Sequence, residues 1–195
     1  AARGAPTSQH LIGLAPDTAE ATGIELDPVT AAISRALYPH TDIRTESFAD
    51  TRFPEGFFDV AVGNVPFGKL VLHDRVHNAA RHGIHNHFII KSLRLLRPGG
   101  LTSVLASHWT MDAKNPGPRR DMNALADLVG AVRLPSGAQR RIAGTEAISD
   151  LLIFRRRPEG EPPRDLSWET TTRLTFDGEP LHVNQYFDEH PQVVL

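Results

Sequence analysis

The stretch Phe58-Asp59-Val60-Ala61-Val62-Gly63-Asn64-Val65-Pro66-Phe67-Gly68 decides the fold of this chain. Its first part is apolar and β-branched, which predicts a buried strand, and its second part has the composition of a turn. Strand-like and helix-like segments alternate on both sides of it, so we predict an α/β fold with a mostly parallel, doubly wound sheet. Ligands bind beyond the carboxyl ends of strands in such sheets, which makes this turn the first candidate site.

The flanking segments supply the other elements of the predicted sheet. Asp27 and Pro28 are typical of a helix start, and Pro39 cannot continue a helix, so one helix is predicted between them. A second amphipathic helix is predicted from Ile84 to Leu96, closed by the Arg97-Pro98-Gly99-Gly100 sequence. Strands are predicted at residues 22–25, 42–45, 57–63, 101–106, 128–134 and 149–154.

Composition limits the class of protein. The chain has 195 residues, no Cys and a net charge of −2, which is typical of a globular domain with its own core and excludes a disulfide scaffold. We predict no membrane span and a cytoplasmic location. The Pro- and Glu-rich stretch 158–164 predicts a boundary, giving an α/β domain at 1–157 and a linker with a short C-terminal connector at 158–195.

The turn after the central strand suits chemistry on an exocyclic amine. The side-chain oxygen of Asn64 can accept one hydrogen of such an amine, and the backbone carbonyl of Val65, restricted by Pro66, can accept the other. Phe67 offers a flat apolar face on which a flipped base can stack. The alternative is an ordinary turn in which Asn64 serves the backbone and Phe67 lies in the core.

An acidic residue, Glu25, ends the first predicted strand. A carboxylate at this place can accept hydrogen bonds from both hydroxyls of a ribose. The alternative is that Glu25 or Asp27 only caps the following helix.

Three motifs in order carry a resemblance to a known family. They are GIELDP at 23–28, FDVAVGNVPFG at 58–68 and HNHFIIKSLRLLRPGGL at 85–101. The chain resembles the N6-adenine DNA methyltransferases of the Asn-Pro-Pro-Tyr/Phe type over roughly residues 11–157. It is similar in particular to the methylase portion of large helicase-linked proteins of bacteria, phages and mobile elements. The resemblance implies a Rossmann-like class I methyltransferase fold, S-adenosylmethionine as cofactor, DNA as partner, and helicase-like domains in the same polypeptide.

The resemblance also implies roles for individual residues. Glu25 would hold the cofactor ribose, Glu46 would contact its adenine, and Gly13 would remain from the glycine-rich turn. Residues 64–67 (Asn64, Val65, Pro66 and Phe67) would form the catalytic loop, with Val65 in place of the usual first Pro. The family's first strand, which precedes that turn, is expected to be missing here. No metal is required.

Two other functions stay open at this point. A methylase fold with an altered N-terminal turn could act as a nucleic-acid-binding or scaffolding module of a larger helicase-containing protein. The same fold could also methylate RNA or a protein glutamine, because a comparable Asn-Pro-Pro motif serves planar amides.

Five histidines lie close together after the candidate turn, at positions 73, 77, 82, 85 and 87. A metal site would need a helix to align His73 with His77, and a third ligand. The composition instead indicates a solvated loop that faces substrate.

Three cations are candidates for contacts with DNA phosphates. They are Lys69 and the pair Arg140 and Arg141, because a nearly neutral domain needs a local cationic face to bind DNA. Trp109 follows the 101–106 strand and could line the pocket or fill the core; we predict that it fills the core.

Overall fold

The computed structural model describes residues 20–136, 138, 148–176 and 179–195. Its elements, in chain order, are β1 (Thr22–Glu25), α1 (Pro28–Leu37), β2 (Asp42–Thr45), β3 (Phe58–Asn64), α2 (Ile84–Leu95), β4 (Leu96–Ser107), α3 (Trp109–Asp112), α4 (Gly117–Leu125), β5 (Ala126–Leu134), β6 (Ser149–Arg156), β7 (Thr171–Phe176), β8 (Glu179–Asn184) and α5 (Gln185–Glu189). None of the helices in these ranges has the length and apolar character needed to cross a bilayer.

The strands pair in parallel where the candidate site lies. β1 pairs with β2, with Glu25 opposite Thr45, and β3 pairs with β4, with Asn64 opposite Leu105. β6 runs antiparallel between β4 and β5, so the larger sheet has the order β3-β4-β6-β5. The predicted α/β fold with parallel pairing is confirmed, and so is the strand predicted at 149–154, whose antiparallel direction the sequence pattern did not indicate.

Within the described residues, β1 pairs only with β2 and β3 pairs only with β4. β1 and β3 therefore each keep one edge free of other described strands. The expectation of a missing first strand concerns residues before Glu20, which lie outside the described ranges, and it stays a prediction.

The bounds of α1 follow from the capping residue and the prolines at its ends. The Asp27 carboxylate accepts a hydrogen bond from the backbone N–H of Thr30 at 2.8 Å, and Pro28 occupies the first helical position, where no N–H is needed. The helix ends at Leu37, shortly before Pro39. The predicted helix is confirmed.

The connection from α2 to β4 is shorter than the sequence indicated. β4 begins at Leu96, directly after α2, and the glycines lie inside the strand range instead of closing the helix. Gly99 has φ +82°, which favours glycine. At Gly100 a Cβ atom would lie 2.8 Å from the carbonyl oxygen of Asp59, so glycine allows β3 and this turn to come together.

The segment after residue 158 packs against the α/β core. Trp168 and Phe187 belong to the same buried apolar cluster as Met111, Met122 and Phe154. The boundary at 157/158 stays a prediction.

Asn184, at the end of β8, links this segment to the α/β sheet. Its side chain donates hydrogen bonds to the carbonyl oxygens of Met111 and Trp168, both at 2.8 Å. Its backbone N–H donates to the Asp112 carboxylate at 2.9 Å. The bonds to Met111 and Asp112 fasten β8 to α3, and the bond to Trp168 ties β8 to the turn at 167–169.

Candidate active site

A groove lies between β1 and β3, each of which has one edge free of other described strands. Its volume is about 210 Å³, and residues from both strands line it, including Ile24 and Asn64. Aromatic side chains from neighbouring segments complete its apolar wall: Phe48, Phe53, Phe58 and Phe88. Glu25 ends β1 and Asn64 ends β3, so the structure places the two main candidate residues at the carboxyl ends of the strands that flank one groove.

Asn64 has an unused acceptor at this groove. The residue is half-buried, and its Oδ1 atom is fully shielded from solvent. Within the part of the chain that the structure describes, this oxygen has no hydrogen-bond partner. Several buried side-chain atoms of the described residues have no partner, and among them this oxygen belongs to a residue that lines the groove.

The backbone that follows Asn64 is held in place by its neighbour strand. The N–H of Val65 donates to the carbonyl oxygen of Leu105 at 3.0 Å, and the Val65 side chain is buried in the core. Phe67 is half-buried and packs against the same cluster. The fixed backbone of Val65 suits the predicted acceptor role, whereas Phe67 combines partial exposure with a core contact.

Glu25 and Glu46 meet at the ends of β1 and β2. The backbone N–H of Glu46 donates to the carbonyl oxygen of Glu25 at 3.1 Å. One carboxylate oxygen of Glu25 accepts the N–H of Asp27 at 2.9 Å, which leaves its other oxygen available. Asp27 is the cap of α1, and its hydrogen bonds with Thr30 lower the pKa of its carboxyl group. The capping alternative therefore holds for Asp27.

A buried charge network, which the sequence pattern did not indicate, fixes the segments on either side of the groove. The Lys91 ammonium, on α2, donates to the carbonyl oxygens of Phe48, Ala49 and Thr51 at 2.6, 3.2 and 3.1 Å. It also donates to the Asp74 carboxylate at 3.0 Å. Lys91 thus joins the segment after Glu46 to the loop after residue 67.

Two histidines complete the network around Asp74. His87 Nε2 lies 3.2 Å and His77 Nδ1 3.4 Å from the Asp74 carboxylate. Burial alone would raise the pKa of the Asp74 carboxyl group. Hydrogen bonds from the Lys91 ammonium and from the backbone N–H of His77 hold this pKa well below its ordinary value. Burial lowers the pKa of His77 and His87, although Asp74 opposes this, and burial likewise lowers the pKa of Lys91.

The loop from residue 69 to residue 83 is more firmly anchored than a solvated loop. Asp74 is buried, and Asn78 is buried and donates to the carbonyl oxygens of Leu72 and His82. His82 Nε2 lies 2.6 Å from the Asp121 carboxylate. In the described ranges, His, Asp and Glu side chains form no group of three suited to a metal.

The other predicted residues have mixed outcomes. Lys69 is exposed, as contact with a phosphate would require, whereas Gly13, Arg140 and Arg141 lie outside the described residues. The prediction that Trp109 fills the core is wrong, since its side chain is 58% exposed. α3 is only one turn long, and Met111, not Trp109, packs into the core. Periodicity over so few residues does not predict which side chain faces the core.

Comparison with solved structures decides the fold. The chain superposes with TM-score 0.59 on a Listeria monocytogenes structure described as a class I S-adenosylmethionine-dependent methyltransferase, at 15% identity. The chain has the fold of a class I methyltransferase. Its superposition on the M protein of the type I restriction enzyme EcoKI gives a TM-score of 0.55 at 18% identity. The match covers 82% of this chain and 51% of the Listeria protein, and 95% of this chain and 44% of EcoKI M.

One curated relative has a similar sequence. The "Defense against restriction protein B" of Escherichia phage P1 is 28% identical over 145 residues. The match covers 70% of this chain but only 6% of the phage protein, so the chain corresponds to a small part of that relative. No protein-family model matches the chain. The methyltransferase fold predicted from the three motifs is thus confirmed by structure.

Proposed function

We propose that this chain transfers a methyl group from S-adenosylmethionine to the N6 amine of adenine in DNA. The observation that carries the proposal is the buried, unpartnered Oδ1 atom of Asn64 at the carboxyl end of β3. An amine hydrogen of a flipped adenine is a donor that this acceptor lacks, and the groove beside it has an apolar wall.

Asn64 and Val65 would orient the amine in this scheme. The lone pair of the adenine N6 atom is delocalised into the ring, so the amine is a poor nucleophile. Acceptors on both of its hydrogens favour a pyramidal nitrogen whose lone pair can attack. Asn64 Oδ1 is one acceptor and the carbonyl oxygen of Val65 is the other, with Phe67 as the stacking face. Positioning is the main contribution of the protein.

Glu25, at the end of β1, and Glu46, just after β2, are the residues proposed to hold the cofactor. Their backbones are hydrogen-bonded to each other, and Glu25 keeps one carboxylate oxygen for a ribose hydroxyl. S-adenosylmethionine would supply a methyl group bonded to a positively charged sulfur, which leaves readily as a neutral thioether. The amine nitrogen would gain the methyl group as the carbon–sulfur bond breaks, and the amine would release one proton to water. Gly13 completes the proposed set of cofactor residues.

The names of two relatives support the restriction and defence part of the proposed setting. Lys69, Arg140 and Arg141 would contact DNA phosphates. The phage relative is a defence protein by name, and EcoKI M belongs to a restriction enzyme. We propose that the chain belongs to a cytoplasmic restriction, defence or mobile-element system and is joined to helicase-like domains of a longer polypeptide.

The test is methyl transfer by the purified chain. The chain is incubated with S-adenosylmethionine labelled in the methyl group and with DNA that contains adenine, and the nucleosides are identified by mass spectrometry. We expect N6-methyladenine, and no label in DNA whose adenines are replaced by purine, which lacks the amine. Asn64→Ala should abolish transfer, while Gln192→Ala, which removes an exposed amide, should not change it.

Calorimetric titration with S-adenosylmethionine separates this proposal from its alternative. Binding of the cofactor together with transfer supports the enzyme. Failure to bind the cofactor, combined with retained binding of DNA, would contradict the proposal and favour the nucleic-acid-binding module.

A further inference from the structure

An exposed aromatic pair stands at the same edge of the sheet as Asn64. Trp109 is 58% exposed, and its ring lies 4.5 Å from the ring of His108, with the two planes tilted by 38°. The other tryptophan of the chain, Trp168, is 1% exposed. An indole ring with this much exposure leaves a large apolar area in water, which is typical of residues that bind a partner.

His108 gives the pair a rigid base. The backbone N–H of His108 donates to the carbonyl oxygen of Ile148 at 3.2 Å, and its Nδ1 lies 3.2 Å from the same oxygen. Because the facing atom is a carbonyl oxygen, Nδ1 carries the proton and donates it. Two bonds to the residue just before β6 thus fix the imidazole, and the indole lies tilted against a ring that is already in place.

The pair lies near the proposed target base. β3 and β4 are parallel, and Asn64 is opposite Leu105. β4 continues to Ser107, about 7 Å beyond that level at the usual rise of a strand, and Trp109 follows at once. A strand of nucleic acid that places one base at Asn64 therefore has its neighbouring nucleotides within reach of the pair.

The charge around the pair suits a polyanion. Lys114, in the same segment, is exposed. Asp112, the carboxylate of α3, is buried and lies 2.8 Å from the guanidinium of Arg133. The segment 108–114 therefore presents aromatic faces and the Lys114 ammonium to solvent. Its carboxylate, Asp112, is paired with Arg133 in the interior.

We infer that the His108–Trp109 pair is a stacking platform for an unpaired nucleobase of single-stranded or locally opened nucleic acid. The inference rests on the proposed function, which makes nucleic acid the substrate, but it concerns a nucleotide next to the target and not the target base. Stacking of a base on an aromatic side chain does not depend on which base it is.

Tryptophan fluorescence tests the platform directly. The purified full chain is titrated with short oligothymidylate, which contains no adenine and so reports binding without methyl transfer. We expect quenching of the Trp109 emission, and no quenching in Trp109→Phe, which keeps only the buried Trp168. Unchanged emission at saturating oligothymidylate would overturn the inference.

Affinity gives a second measurement. Trp109→Ala should weaken oligothymidylate binding, followed by anisotropy of a labelled strand, by roughly 5- to 150-fold. Leu166→Ala is the matched control. Leu166 is equally exposed, at 59%. It lies near the opposite edge of the sheet, because the backbone N–H of Arg164, two residues before it, donates to the carboxylate of Asp127 in β5. An affinity of Trp109→Ala equal to that of the control would contradict the platform.

The two proposals can fail separately. If Trp109→Ala methylates DNA with an unchanged KM for DNA, the platform is wrong and the proposed function stands. If the parent chain shows quenching and weaker binding after Trp109→Ala but transfers no methyl group, the platform stands and the proposed activity is wrong.

Discussion

The substitution Lys91→Met tests the buried charge network. Lys91 is fully buried, and its ammonium contacts three carbonyl oxygens and the Asp74 carboxylate within 3.2 Å. Methionine is similar to the lysine stem in length and shape, so the change removes the charge and its donors without leaving a large cavity. The three carbonyls and Asp74 then lose their shared donor.

The expected cost follows from these contacts. Removing one partner of a buried ion pair costs about 3–5 kcal/mol, because the other charge stays buried without compensation. A loss of about 3–5 kcal/mol is a large part of the 5–15 kcal/mol that is usual for a domain.

Urea unfolding followed by far-ultraviolet circular dichroism measures the effect. The exposed Lys114→Met is the matched control and should change the free energy of unfolding by less than about 0.5 kcal/mol. The double variant Asp74→Asn, Lys91→Met should recover part of the loss, because neither charge is then left alone. A loss below about 1 kcal/mol for Lys91→Met would show that the network contributes little.

Three further predictions concern stability. Gly100→Ala should lower it by about 1–3 kcal/mol, because the new Cβ meets backbone at 2.8 Å, while Gly130→Ala, with open space around it, should not; equal urea midpoints would refute this. Asn184→Ala should cost about 2–4 kcal/mol in thermal melts by leaving two buried carbonyls unpaired, and an unchanged melting temperature would speak against it. The pKa values of His77 and His87 are lowered in the folded state, so the unfolded chain binds more protons as the pH falls below about 6.5. The free energy of unfolding should therefore fall from pH 7.5 to pH 5.5. A flat profile would contradict this.

Strand pairing shows where the sequence pattern stopped being informative. The apolar run that becomes β6 predicts a buried strand, but nothing within residues 149–156 says whether it runs parallel or antiparallel to its neighbours. Direction and order depend on which edges are available once β4 and β5 have packed. The proximity of Glu25 and Glu46 has the same origin, since it requires β1 and β2 to pair in register.

The Asp74 network shows the same limit for side chains. Asp74 and Lys91 are 17 residues apart in the chain and the Phe48 carbonyl is 43 residues from Lys91. A lysine on a helix is usually a solvated cation, and only its surroundings in the fold make this one buried.

The sequence by itself determined α1, the approximate positions of β1 to β6 and the main candidate loop. The bounds of α1 follow from Asp27, Pro28 and Pro39, and the strand that ends at Asn64 follows from its β-branched run, because capping, proline geometry and short-range periodicity act within a few residues. Only the tertiary structure decided the direction of β6, the burial of Lys91 and the exposure of Trp109. Each of these depends on contacts between segments far apart in the chain, whose free energy is set by packing and not by local conformational preference.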